Sequence, residues 1–97
     1  MTIVGVMTFS KQGKKTAERL FGTWQDAIPL YYINDTPREA WIAMAFSYHM
    51  PILFVGAMGI AVRLIAPCIK DKLQDSPVVV MDERGAHVIP VLSGHMG

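Results

Sequence analysis

Between Ala40 and Val62 the chain carries no Asp, Glu, Lys or Arg. About 20 apolar residues are enough to cross a bilayer as a helix. A stretch of this kind therefore has two uses: a membrane span, or a helix and a strand buried in a core. It also holds Ser47, His49, Pro51, Gly56 and Gly59, and its pattern changes at Met50-Pro51. Before that point Trp41, Met44 and Tyr48 stand at helical spacing. After it, Ile52-Leu53-Phe54-Val55 has the length and composition of a buried strand. The expectation is a helix followed by a core strand, with no transmembrane helix.

The rest of the chain supplies neighbours for that strand. An apolar run from Ile3 to Met7 leads through the polar segment Thr8–Gly13 into a helix over Lys14–Phe21, with Ala17, Leu20 and Phe21 on one face. A second strand is expected at Ile28–Ile33. Thr36, Pro37 and Glu39 then read as a capping box that starts the next helix, with Pro37 at its first position. After Gly56-Ala57-Met58-Gly59 a further helix runs to about Ile65. Pro67 must break it, because its ring removes a donor and disfavours α geometry at Ala66. Pro77–Met81 is a valine-rich strand, Asp82–Gly85 a tight turn, and Ala86–Val91 a last strand. Strand and helix alternating in this way indicate an α/β fold. The expected form is a mainly parallel sheet flanked by helices, a Rossmann/flavodoxin-like three-layer domain over residues 1–97, with an antiparallel hairpin at one edge.

Composition narrows the class of partner. With 52% hydrophobic and 18% charged residues the chain has the balance of a globular protein. A net charge of +1 without clustered basic residues gives no nucleic-acid footprint. One cysteine, Cys68, cannot form an internal disulfide and fits a reducing compartment. No basic segment precedes the apolar start Met1-Thr2-Ile3-Val4, so it does not read as a signal peptide, and a cytoplasmic location is expected.

Candidate chemistry gathers in loops. In open α/β sheets ligands bind at the carboxyl ends of strands, which singles out Thr8–Gly13 and Gly56–Gly59. The first has two hydroxyls and Lys11 ahead of a helix, where backbone amides hold anions, or it is an ordinary solvated loop. The glycines of the second admit a ligand to the main chain of Gly56, Ala57 and Gly59, or they allow close helix–strand packing. Arg63 is the only charge between Glu39 and Lys70; it is a ligand-binding residue or a surface arginine covering apolar neighbours. Lys70, Asp71, Lys72 and Asp75 make a mixed-charge patch. Asp82 and Glu83 can serve acid–base work or cap the hairpin turn. His49, His87 and His95 show no metal-ligand spacing with Cys68, and no metal site is expected. His95 stands apart from the other two, in the small-residue loop Ser93-Gly94-His95-Met96-Gly97 directly after a strand.

The run from Val55 to His95 resembles the N-terminal domain of the cobalt-precorrin-5A hydrolases, the CbiG family of anaerobic cobalamin biosynthesis. The residues that carry the likeness are the continuous segment Gly56-Ala57-Met58-Gly59-Ile60-Ala61-Val62-Arg63-Leu64-Ile65-Ala66-Pro67, then Lys72 and Asp75, then Val78–Glu83, Gly85, Val88-Ile89 and Leu92-Ser93-Gly94-His95. Asp75-Ser76-Pro77-Val78 stands where the family usually has Asp-Pro-Ala-Val. The resemblance implies a longer enzyme, of which this is the N-terminal domain, trimmed before a second domain that it would contact. It implies opening of the ring A δ-lactone of cobalt-precorrin-5A and release of a two-carbon unit as acetaldehyde. The cobalt would arrive inside the corrinoid substrate, so no cofactor of the protein's own is expected.

For that chemistry His95 is the expected base and then acid, with an ordinary pKa near 6.5. Ser93 and the amides around Gly94 would steady the oxyanion. Arg63, Lys72 and the amides of Gly56–Gly59 would receive substrate carboxylates. The alternative is a non-catalytic α/β module that binds an anion or docks another domain. The oligomeric state is left open.

Overall fold

The computed structural model describes residues 4–21, 37–70 and 75–92. Four strands form one sheet in the order β1 (Gly5–Thr8), β2 (Ile52–Val55), β3 (Val78–Met81), β4 (Val88–Leu92). The first three are parallel, and β4 runs antiparallel to β3 as the edge hairpin. The strand expected at Ile28–Ile33 lies outside the described residues.

The three parallel strands are short apolar runs because both of their faces are covered, as parallel sheets require. On one face Met7, Ile52, Phe54, Val78 and Val80 pack with Trp41, Ile42, Ala45 and Phe46 of α2 (Arg38–Ser47) and with Ala61 and Ile65 of α3 (Met58–Ile65). On the other, Val6, Val55 and Met81 pack against Ala17 of α1 (Lys11–Phe21). Helices on both faces of a central sheet make the three layers expected from the sequence.

The ends of these elements follow local rules, some of which the sequence hides. Helix α1 begins at Lys11 rather than Lys14, because the Ser10 hydroxyl accepts the Gly13 amide at 3.0 Å and caps the first turn. Its buried stripe is Gly13, Thr16 and Ala17, and Leu20 is 41% exposed rather than buried. Gly13 permits this close seat, since a Cβ there would stand 3.1 Å from the Val55 carbonyl oxygen. Helix α2 has Pro37 at its N-cap, not at its first position, with an extended ψ of 118°. Thr36 lies outside the described residues. The buried face of α2 is Trp41, Ile42, Ala45 and Phe46, whereas Met44 is partly exposed and Tyr48 is 74% exposed.

Helix α2 ends in a Schellman arrangement. His49 donates its amide to the Phe46 carbonyl at 3.1 Å, Met50 donates to Ala45 at 2.8 Å, and His49 takes the left-handed φ of 56°. The uncharged stretch thus divides into α2, β2 and α3. No described helix is long and apolar enough to cross a membrane. Pro67 breaks α3 as expected, and a single 3-10 turn over Ala66–Cys68 follows.

Strand β4 starts at Val88, two residues after the expected Ala86, because the hairpin turn runs on to His87. The Asp82 carboxylate accepts the His87 amide at 2.8 Å, and Gly85 holds φ at 75°. The sequence Val88-Ile89-Pro90-Val91-Leu92 is as apolar as β2, yet Val88 is 58% and Ile89 48% exposed. The register places Val79 opposite Pro90 and Val78 opposite Leu92, so Val91 is the extra residue of a bulge. An edge strand with a bulge is where a sheet tolerates proline.

Candidate ligand site at the carboxyl end of the sheet

Strands β1 and β2 are neighbours, but the helices that follow them go to opposite faces. Helix α1 leaves β1 for the Val6–Val55 face, and α3 leaves β2 for the Ile52–Phe54 face. The two connections diverge at the carboxyl ends of the strands, and in doubly wound sheets the crevice at such a switch point is where ligands bind. One wall is Phe9-Ser10 and the start of α1. The other is Gly56-Ala57 and the start of α3. The two loops singled out in the sequence therefore flank this switch point, with the Phe9 ring of the first packed on Gly56 of the second.

The glycines of the second loop do different things. Gly56 adopts φ +150°, and a Cβ on it would lie 2.6 Å from Cδ2 of Phe9. Its amide is already committed to the Met81 carbonyl at 2.9 Å. Gly56 thus serves packing: it makes room for the Phe9 ring, which stacks on Phe54 with centroids 5.6 Å apart. Gly59 is exposed, with nothing within 4 Å of where its Cβ would be. The N-cap of α3 is Ala57, exposed and without a polar atom to satisfy the first-turn amides. A helix start of this kind, lined by Ala57 and Gly59, accepts an anion from outside.

The other candidates fall elsewhere. Arg63 is exposed in the last turn of α3, where a cation suits the helix dipole, more than one turn from Ala57. The Asp82 carboxylate is spent on the hairpin turn. Acceptance of the His87 amide, with smaller help from those of Ala86 and Arg84, holds its pKa below the ordinary value. Glu83 has an exposed side chain, and its carbonyl accepts the Thr16 hydroxyl. Lys72, Ser93, Gly94 and His95 lie outside the described residues. Leu92, the last described residue before them, pairs with Val78 at the amino end of the sheet. The chain therefore leaves the sheet at the end opposite the crevice.

The amino end has its own cavity, of about 440 Å³, lined by Ala43, Phe46, Ser47, His49, Pro67, Cys68, Lys70 and Asp75. Its size suits a small ligand. However, it is walled by the C-terminal turn of α2, whose carbonyls repel anions, and Asp75 beside it turns a carboxylate oxygen to the Lys70 amide at 2.8 Å. Among the described residues, no three His, Cys, Asp or Glu side chains come together as metal ligands. The sequence reading missed Arg38. This first residue of α2 sets its guanidinium 5.8 Å from the centre of the Phe9 ring, and only a known position for α2 could have revealed it.

Comparison with known proteins agrees with this geometry. The chain is 57% identical over 53 residues to a cobalt-precorrin-5A hydrolase of Salmonella typhimurium, a match that covers 55% of this chain and 15% of that protein. It is 46% identical over 52 residues to the cobalt-precorrin-5A hydrolase of Priestia megaterium, covering 54% of this chain and 14% of the relative. A solved structure of a cobalamin biosynthesis protein G homolog from Sulfolobus solfataricus superposes with a TM-score of 0.74. It covers 97% of this chain and 30% of the other at 22% identity, a likeness of fold. The family model for the cobalamin synthesis G N-terminal domain matches residues 40–97, more than half of the chain. This chain belongs to the cobalamin synthesis G N-terminal family.

Proposed function

We propose that this chain supplies the N-terminal part of a cobalt-precorrin-5A hydrolase. That enzyme opens the ring A δ-lactone and releases acetaldehyde to give cobalt-precorrin-5B. The observation that carries the reading is the uncapped start of α3 at Ala57–Gly59, which flanks the switch point with the start of α1, within the segment shared with the hydrolases. Two helix N-termini at one end of the sheet suit a macrocycle fringed with carboxylates.

Lactone opening needs an activated water, stabilisation of the oxyanion, and a proton for the leaving ring oxygen. His95 would take the proton from the attacking water and return it to that oxygen. Ser93 and the Gly94 amide would hold the oxyanion, and Lys72 and Arg63 would attract carboxylates at the periphery. The cobalt travels in the substrate. The protein works in the cytoplasm as one part of a longer polypeptide.

Turnover of cobalt-precorrin-5A by a full-length protein containing this chain, with acetaldehyde assayed, tests the reading. In that protein His95→Ala should lower kcat roughly 10²–10⁴-fold, with substrate affinity little changed. Parent-rate turnover by a folded His95→Ala variant removes the acid–base role. A second reading, anion binding without chemistry in this part of the protein, draws on the departure of the chain at Leu92, opposite the crevice. It predicts that His95→Ala alters neither kcat nor acetaldehyde yield.

A further inference from the structure

The carboxyl end of the sheet collects charge that the fold itself does not need. Helices α1, α2 and α3 all start there, so three positive dipole ends share one face of the molecule. Anionic side chains normally occupy first turns for this reason. Here α1 has no acidic residue in its first turn and begins with Lys11, α3 has none either, and α2 begins with Arg38. The exposed Glu39 is the one acidic residue in these three first turns. A cation at the first position of a helix is locally unfavourable, and departures from local preference tend to mark functional sites.

Arg38 is also held in place. Its guanidinium lies over the Phe9 ring, and that ring is fixed from two sides, by Phe54 in the stack and by Gly56, whose missing Cβ leaves it room. A cation held over a ring face keeps its N–H groups available for a second partner. Among the described residues no carboxylate pairs with it. Arg38 is half-buried, and the ring beneath it abuts Gly56.

We propose that Arg38, braced on Phe9, is a substrate-recognition residue of the crevice and takes a peripheral carboxylate of the corrinoid macrocycle in a bidentate pair. The proposal rests on the reading of the crevice as the substrate site. It adds Arg38 to the cations, Arg63 and Lys72, that would meet substrate carboxylates.

The test is equilibrium binding of two probes to the full chain: dicyanocobyrinic acid, with free side-chain carboxylates, and its methyl ester, which has the same ring without the charges. The parent should bind the acid at least tenfold more tightly than the ester. Arg38→Gln should lose roughly ten- to a hundredfold in affinity for the acid and nothing for the ester. Arg38→Lys, which keeps the charge but not the planar fork, should recover part of the loss. Lys70→Gln, which removes an exposed cation at the amino end of the sheet, should bind the acid like the parent. A folded Arg38→Gln variant that binds the acid as tightly as the parent overturns the role of Arg38 while leaving the crevice intact. A parent that does not distinguish acid from ester overturns the crevice reading itself, and this proposal with it.

Discussion

The two ends of the sheet handle their polar groups in opposite ways. At the amino end the protein satisfies itself. The Ala45 carbonyl near the end of α2 accepts the Met50 amide and, at 3.3 Å, the Ser76 hydroxyl, and Asp75 receives the Lys70 amide. At the carboxyl end α3 starts from Ala57, which has nothing to offer its amides, and Lys11 and Arg38 add charge where helix dipoles are already positive. What separates the two ends is whether the fold completes its own hydrogen bonds or leaves them for a ligand. By that criterion the 440 Å³ cavity at the amino end is the weaker ligand site.

The sharpest way to break this contrast is at Gly56. Any side chain there must adopt a φ that L-residues avoid and must displace the Phe9 ring, so Gly56→Ala should cost about 2–5 kcal/mol. Urea denaturation measures it. A loss below 1 kcal/mol would mean that the crevice wall is soft and that Gly56 does not hold Phe9. Shortening Phe9 in the same chain should relieve only the overlap, because φ stays unfavourable.

At the other end Asp75→Ala leaves the Lys70 amide without its acceptor and should cost about 1–3 kcal/mol. Corrinoid binding should be unaffected once the protein is folded. An Asp75→Ala protein of parent stability that binds the acid probe more weakly would transfer the ligand site to the amino end.

The smallest effect is a pH dependence at the hairpin. The folded pKa of Asp82 lies below its unfolded value of about 3.9, chiefly through the His87 amide. Its stabilisation is therefore complete above the unfolded value and fades as pH falls through the folded one. Asp82→Asn should lower the melting temperature slightly at pH 6, and the difference from the parent should shrink as the pH falls below about 4. A difference that grows on acidification would contradict the role of the carboxylate in the turn.

How much could be read in advance depended on how local the deciding physics was. The break at Pro67, the strand at Ile52–Val55 and the hairpin after Met81 each follow from a few adjacent residues, and each is found where the sequence puts it. The helical spacing of Trp41, Met44 and Tyr48 does not pick out the buried face of α2, because Trp41, Ile42, Ala43, Met44, Ala45 and Phe46 are apolar almost all the way round. Contact with the sheet, not periodicity, chooses Ile42 and Phe46 over Met44 and Tyr48. The start of α1 depended on one hydroxyl, that of Ser10. For the site, the loops at Phe9 and Gly56 were legible from the rule of carboxyl ends. Arg38 was not, since its nearness to Phe9 exists only once α2 lies on the sheet. The hairpin was foreseen, but its consequence was not: an antiparallel last strand carries Leu92 back to the amino end.

The hydrogen bond from the Thr16 hydroxyl to the Glu83 carbonyl joins positions 67 residues apart, and Arg19 reaches the Arg84 carbonyl in the same way. During synthesis β1 and α1 are made before the hairpin turn whose carbonyls fasten α1. The layer that α1 forms cannot be completed until the hairpin has been made. Contacts of such sequence separation slow folding, so α1 and its face of the sheet stay unsealed until the hairpin has followed.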